Sequence, residues 1–232
     1  MKIKTNKNTI EQLEDKIRSD SKIVLPEKYD FLVEYFTTIV DFVKNEGLWI
    51  ETGVYRGRSI QFLSTLTDNI IYGFDSFCGL PEDWTVGNPK GCYNAGGEIP
   101  PGAIIGDNQS MYDDSVTKNW EPWNKNVKLI KGLVQDTLPK FVKKYNKNIA
   151  FLHIDTDIYS ACSFTLTCLS DRIVDGTVIA FDDLFWPGED YKNGELKAFC
   201  EFLNQTDLDF EPLVLHGSEN NFQRATIRII KK

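Results

Sequence analysis

The chain has 232 residues, 41% of them hydrophobic and 26% charged, with a formal net charge of -8. That length suits one α/β domain with short additions, and the composition is that of a globular chain rather than a disordered one. Lys and Arg are scattered rather than clustered, so no basic patch invites nucleic acid, and no apolar run is long enough to cross a bilayer. The five cysteines (Cys78, Cys92, Cys162, Cys168, Cys200) are odd in number and lack a CxxC spacing, which argues against a disulfide framework and a structural zinc site. The polar start, Met1 to Ile10, has no apolar segment of the secretory kind, and a cytoplasmic location is expected.

Ile10, Leu13 and Ile17 have helical spacing, and Thr9 with Gln12 forms a capping box before them. Pro26 is suited to open a second helix, whose stripe of Phe31, Leu32, Tyr35, Phe36, Ile39, Val40 and Val43 ends near Gly47. Residues 1–46 therefore read as a helical lid or flank, and residues 47–232 as the main domain. From Leu48 onward, short apolar runs alternate with helical patterns, the signature of βαβ units. Strands are expected at Leu48–Thr52, Ile70–Phe74, Val127–Lys131, Ile149–Asp155, Thr177–Phe181, Glu211–Leu215 and Arg224–Ile230. Helices are expected at Gly57–Leu66, Thr137–Tyr145, Tyr159–Arg172 and Glu189–Asn204. The polar stretch His216–Asn221 is short enough for a hairpin, which makes the last strand antiparallel. The fold class is thus α/β, a Rossmann-like, doubly wound, seven-stranded and mostly parallel sheet.

Residues 78–126 break the rhythm with Gly, Pro, Asn and Trp. Trp84, Tyr93, Trp120 and Trp123 favour an ordered insertion that covers a substrate, since disordered segments are poor in aromatics.

Four motifs carry chemistry. Glu51-Thr52-Gly53-Val54-Tyr55-Arg56-Gly57-Arg58-Ser59 follows the first core strand and opens the first core helix. Gly53 permits a sharp turn, Gly57 a close approach by a ligand or the next helix, and the helix N-terminus offers free N–H groups to a carboxylate, with the Ser59 hydroxyl beside them. Its GxxxG spacing, preceded by an acid, suits a zwitterionic amino acid better than the pyrophosphate of a dinucleotide. Asp75, at the end of the second core strand and followed by Ser76, can accept hydrogen bonds from two ribose hydroxyls. In Gly132-Leu133-Val134-Gln135-Asp136, Val134 and Gln135 stand where a purine could lie, and Asp136 is placed to cap the next helix. Finally, Asp155 and Asp157 end one strand and Asp182-Asp183 the next. Neighbouring parallel strands bring such carboxylates to one sheet edge, where all-oxygen donors suit a hard cation such as Mg²⁺.

Taken jointly, the stretches ETGVYRGRS, GFDSFCGLPEDW, KGCYNAGGEIPP, VKLIKGLVQDTLP, FLHIDTDIYS and RIVDGTVIAFDDLF resemble the macrocin O-methyltransferase family of class I S-adenosylmethionine-dependent methyltransferases. The block 132–139, with Asp155 and Asp182-Asp183, is also similar to catechol O-methyltransferase, a more distant Mg²⁺-dependent relative. The resemblance implies that Glu51, Thr52, Gly53 and Ser59 hold the methionine end of S-adenosylmethionine, that Asp75 and Ser76 bind the ribose, and that Val134 and Gln135 border the adenine. It implies Asp155, Asp182 and Asp183 as Mg²⁺ ligands, a sugar or other natural-product hydroxyl as acceptor, and a homodimer formed partly by the N-terminal helices. Where catechol-type enzymes place a lysine base, this chain has Ile158, which leaves the base to be sought at Asp157 or His216. His153, inside an apolar strand, reads as a satisfied core histidine. The competing readings are a nicotinamide-dependent oxidoreductase, disfavoured by the glycine spacing and the antiparallel last strand, and a non-catalytic S-adenosylmethionine-binding module, disfavoured by the intact acidic set.

Overall fold

A computed structural model of the chain describes residues 8–26, 31–104, 120–186, 188–218 and 221–232. It opens with helix α1 (Ile10–Asp20), strand β1 (Ile23–Leu25) and helix α2 (Phe31–Val40). The capping box of α1 forms as expected: the Gln12 N–H donates to Thr9 Oγ1 at 3.2 Å and the Thr9 N–H to Gln12 Oε1 at 2.9 Å. Then come β2 (Leu48–Thr52), α3 (Arg58–Leu63), β3 (Ile71–Asp75), β4 (Gly102–Ile104), β5 (Trp120–Pro122), β6 (Val127–Lys131) and α4 (Val134–Lys144). The chain closes with β7 (Ile149–Ile154), α5 (Tyr159–Leu169), β8 (Val178–Phe181), α6 (Glu195–Gln205), β9 (Leu208–Ser218) and β10 (Asn221–Lys231).

The main sheet runs β1-β9-β10-β8-β7-β2-β3-β6. Every pairing is parallel except those of β10 with β8 and with β9. The expected antiparallel last strand and Rossmann-like sheet are therefore found, with eight strands instead of seven. The additional one is β1, a three-residue edge strand paired in register with Val214, Leu215 and His216. Three residues are too few to show an alternation in sequence, and only its hydrogen-bonding partner makes it a strand.

Both faces of the sheet are covered, as a parallel sheet requires. Leu13 and Ile17 of α1 join α4, α5 and α6 against Ile50, Leu152 and Ile154 on one face. Tyr35, Phe36 and Ile39 of α2 join Ile60 and Leu63 of α3 against Trp49 and Phe151 on the other. Alternation along β2 and β7 places Glu51 and His153 on the α2 side, in register with each other.

The sequence expectation of an ordered insertion can be followed where it is described. Cys78 bridges to Asn94, Leu80 exchanges backbone hydrogen bonds with Gly91 and Cys92, and β4 pairs antiparallel with β5. The Trp123 indole N–H donates to the Pro100 carbonyl at 2.8 Å. Residues 105–119 of the insertion lie outside the described residues, as does the Trp120 side chain.

Candidate active site

One cleft of about 650 Å³ lies at the C-terminal ends of the parallel strands. The loops after β2, β3, β6, β7 and β8 contribute to it, the edge at which open α/β sheets bind ligands. Because β10 runs the other way, its N-terminal part reaches the same edge and supplies Gln223 and Arg224. Leu32 and Phe36 of α2 close one side, and Trp84, Tyr93 and Trp186 form aromatic wall.

The glycine turn is built as its spacing implies. Gly53 has φ +83°, and a Cβ there would lie 1.6 Å from the Asp155 carbonyl oxygen, so the turns after β2 and β7 pack this closely only because no side chain intervenes. Gly57, at φ +79°, is approached by the Trp123 indole: a Cβ would meet it at 2.1 Å. The close approach expected at Gly57 is thus made by the insertion. Residues 53–59 line the cleft, whereas Glu51 and Thr52 are fully buried behind it. Glu51 instead accepts from Ser59 Oγ at 2.8 Å and meets His153 Nδ1 at 2.9 Å.

Asp75 reaches back over the turn. Its Oδ2 accepts from the N–H groups of Val54 and Tyr55, both at 2.7 Å, and its Oδ1 from Phe77 N–H at 2.6 Å. These bonds orient the carboxylate at the cleft wall and leave Oδ1 with capacity for a further donor. Ser76, Val134 and Gln135 also line the cleft. Helix α4 starts at Val134, three residues before its expected start, and its N-cap is Leu133 without a side-chain cap. Asp136 is not the cap; it lies in the first turn, where its charge favours the helix dipole.

The acidic set converges. Asp155, Asp157, Asp182 and Asp183 all line the cleft. Single oxygens of Asp155, Asp157 and Asp183 lie within 4.8 Å of one another, as do ligand atoms of His153, Asp155 and Asp182. Burial and the neighbouring carboxylates raise Asp155 and Asp157 well above the usual carboxylate range. Burial, with Asp182 beside it, pushes Asp183 up to about 7. Asp182 behaves oppositely. Burial works against its charge, yet Arg224 and His153 hold it well below the usual range. Arg224 binds it through two parallel contacts, Nε to Oδ1 at 2.7 Å and Nη2 to Oδ2 at 3.0 Å. Of the three aspartates expected as metal ligands, Asp182 is therefore already ion-paired, while Asp155 and Asp183 lie in a compact trio with Asp157.

Asp157 adopts φ +62°, a left-handed conformation costly for a residue with a Cβ, which is a mark of functional sites. The other base candidate, His216, does not line the cleft. Although at the C-terminal end of β9, it is buried against the Tyr35 ring, 5.5 Å between centroids, and burial with the Arg224 charge lowers its pKa to about 4. His153 is more than a core histidine. Burial alone would lower its pKa, but Asp182 and Glu51 outweigh that and raise it to about 10. Arg224, Gln223 and Trp186 were not expected from sequence. Nothing in a strand-like run such as Arg224–Ile230 signals that its first residue faces a carboxylate from another strand.

Fold and family together define a Rossmann-like O-methyltransferase. A model of the family described as Macrocin-O-methyltransferase (TylF) matches residues 32–192, more than half of the chain, and the protein belongs to that family. Among solved structures, CalS11, a calicheamicin methyltransferase, aligns over 95% of this chain and 93% of its own at 20% identity and a TM-score of 0.57. The ligand-free form of CalS11, described as a TDP-rhamnose 3'-O-methyltransferase, covers 85% of this chain and 77% of its own at 20% identity, with a TM-score of 0.53. An O-methyltransferase from Bacillus cereus in complex with SAH covers 88% and 83% at 13% identity, with a TM-score of 0.51. At these identities the likeness is one of fold. A comparison with curated proteins finds no match. Among the described residues no helix is long and apolar enough to cross a membrane.

Proposed function

We propose that the protein methylates a hydroxyl of a sugar or sugar-bearing natural product, with S-adenosylmethionine as donor and a divalent cation such as Mg²⁺ at the aspartates. The observation that carries this reading is the meeting, in one cleft, of the glycine turn, Asp75 and Gln135 with four carboxylates. In this reading residues 47–232 form the catalytic unit, residues 1–46 flank it, and the insertion at about 78–126 covers the acceptor.

The donor set fits a hard cation. Its members are all oxygens, no lysine lines the cleft among the described residues, and Asp155, Asp157 and Asp183 are raised by burial first and by the charge of neighbouring carboxylates second, a cost that a cation relieves. Asp155 and Asp183 would hold it, with Asp182 contributing through lone pairs that Arg224 leaves free. A bound cation supplies a lowered pKa and a fixed orientation for the acceptor hydroxyl. S-adenosylmethionine supplies an electrophilic methyl group on sulfur.

The protein's own residues do the rest. Residues 53–59 receive the methionine end, and Glu51 orients Ser59 from behind. Asp75, Ser76, Val134 and Gln135 receive the nucleoside. Asp157 takes the acceptor's proton, and Trp84, Tyr93 and Trp186 offer ring faces to a sugar. In-line geometry, not covalent help, then lowers the barrier. The family description and the acceptor of CalS11, a nucleotide sugar, support an acceptor of this class.

The test is a melting series on the purified protein with S-adenosylhomocysteine, NAD or neither. Stabilisation by S-adenosylhomocysteine alone is expected, and chelation of divalent ions should abolish turnover while leaving that stabilisation largely intact. Stabilisation by NAD alone would sink the reading.

A further inference from the structure

From the glycine turn to the carboxylate cluster runs a line of polar side chains whose middle members, Glu51 and His153, lie behind the cleft and line neither subsite. Ser59 donates to Glu51, Glu51 meets His153 Nδ1 at 2.9 Å, and His153 Nε2 faces Asp182 Oδ1 at 3.8 Å. Arg224 then holds Asp182 from the far side. The register explains the line: Glu51 and His153 stand abreast on β2 and β7, and Asp182 lies two residues beyond Ala180, the β8 residue abreast of His153, on the same side of the sheet. Its two ends belong to different subsites, Ser59 to the glycine turn and Asp182 to the carboxylate cluster.

His153 is the link between them. It is fully buried, with the Phe36 ring edge-on at 5.1 Å, and its Nε2 has no hydrogen-bond partner among the described residues. At 3.8 Å the Asp182 contact is electrostatic and unsaturated, open to adjustment when the charge on Asp182 changes. A buried line of ionisable side chains is a poor device for stability alone, because well-packed apolar side chains avoid its desolvation cost.

We propose that His153 is a positioning residue that couples the cofactor subsite to the cation subsite. This rests on the reading that S-adenosylmethionine binds at the glycine turn and a divalent cation at the aspartates. A cation beside Asp182 draws that carboxylate's charge away from His153. The imidazole then answers to Glu51 alone, which fixes Glu51 and, through it, the Ser59 hydroxyl at the methionine end. Cofactor and cation thus bind with positive cooperativity, each strengthening the other by the same factor.

Calorimetric titration of S-adenosylhomocysteine into the full chain, with and without saturating Mg²⁺, measures that factor. Binding at least about five-fold tighter with Mg²⁺ is expected for the wild type, at the low end of typical couplings. Titration of Mn²⁺ followed by electron paramagnetic resonance, with and without S-adenosylhomocysteine, should return a matching factor. In H153N, which keeps an amide near the Nδ1 position but nothing toward Asp182, the factor should fall to within about two-fold of unity while each ligand alone still binds. H153Q, which keeps a donor on the Asp182 side and gives up the Glu51 contact, should uncouple the subsites equally. Independent binding in the wild type, or an undiminished factor in either variant with a native melting curve, overturns the proposal. A wild-type protein that binds no S-adenosylhomocysteine would remove the proposed function, and this inference with it.

Discussion

Asp157 and Asp183 show how much two neighbouring carboxylates can differ in task. Asp183 is buried, accepts from Gln223 Nε2 at 2.9 Å, and has its backbone N–H bound to Glu195 Oε2 at 3.1 Å. Asp157 is less buried, sits on a left-handed backbone and opens onto the cleft. The first is built to hold a charge in place, the second to present one. D157N should therefore lower kcat by about a hundred-fold or more, the scale of a lost general base, while Mn²⁺ affinity stays within a few-fold of the wild type. D183N should lose Mn²⁺ affinity outright. Loss of Mn²⁺ binding in D157N would make Asp157 a ligand and leave the base elsewhere. Glu51, Thr52 and Gly53 were legible as a motif because glycine spacing is written in one dimension. That Glu51 and Thr52 stand behind the cleft rather than in it was not, since facing is decided by the strand's neighbours.

At the level of elements, the hairpin of β9 and β10 does more than close the sheet. An antiparallel strand delivers its N-terminal residues where its parallel neighbours deliver their C-terminal ones, so Arg224 meets Asp182 across the β8–β10 pair. The pair is almost fully enclosed, and removing one partner leaves a buried charge. R224M should cost about 3–5 kcal/mol in chemical denaturation, and adding D182N to it should recover a good part of that loss. Additive losses in the double variant would mean that the two side chains do not act as a pair. The hairpin itself was foreseen from the polar stretch between two apolar runs. Its ion pair was not, because Asp182 and Arg224 are distant in sequence and no pattern around Arg224 marks it as the partner of a strand-end carboxylate.

Across the whole molecule the buried charges give stability a definite pH dependence. Asp183 is raised to about 7 by burial and Asp182, and His153 to about 10 by Asp182 and Glu51 against the pull of burial. In an unfolded chain these groups titrate near 4 and 6.5. Both folded-state values are raised, so each group's contribution is complete below its unfolded pKa and is lost as pH rises through the folded one. The windows are about pH 4 to 7 for Asp183 and about 6.5 to 10 for His153. The cation-free protein should accordingly melt at progressively lower temperature from pH 6 to pH 9, and Mg²⁺ should restore most of the loss at the alkaline end by replacing the proton. D183N should flatten the lower part of that profile. A Tm that rises over this range would contradict the charge arrangement of the cleft.

By itself the sequence determined the elements and their order, the covered parallel sheet, the hairpin at its end, the glycine turn and the aspartates at strand ends. Each of these follows from local periodicity or from short motifs, which a chain carries wherever it folds. Only the tertiary structure decided the eighth strand, the pairing of Asp182 with Arg224, the exclusion of His216 from the cleft and the bridging place of His153. Those depend on which strands become neighbours and on what the dielectric around a charge becomes once they do. Neither quantity exists until the sheet has closed.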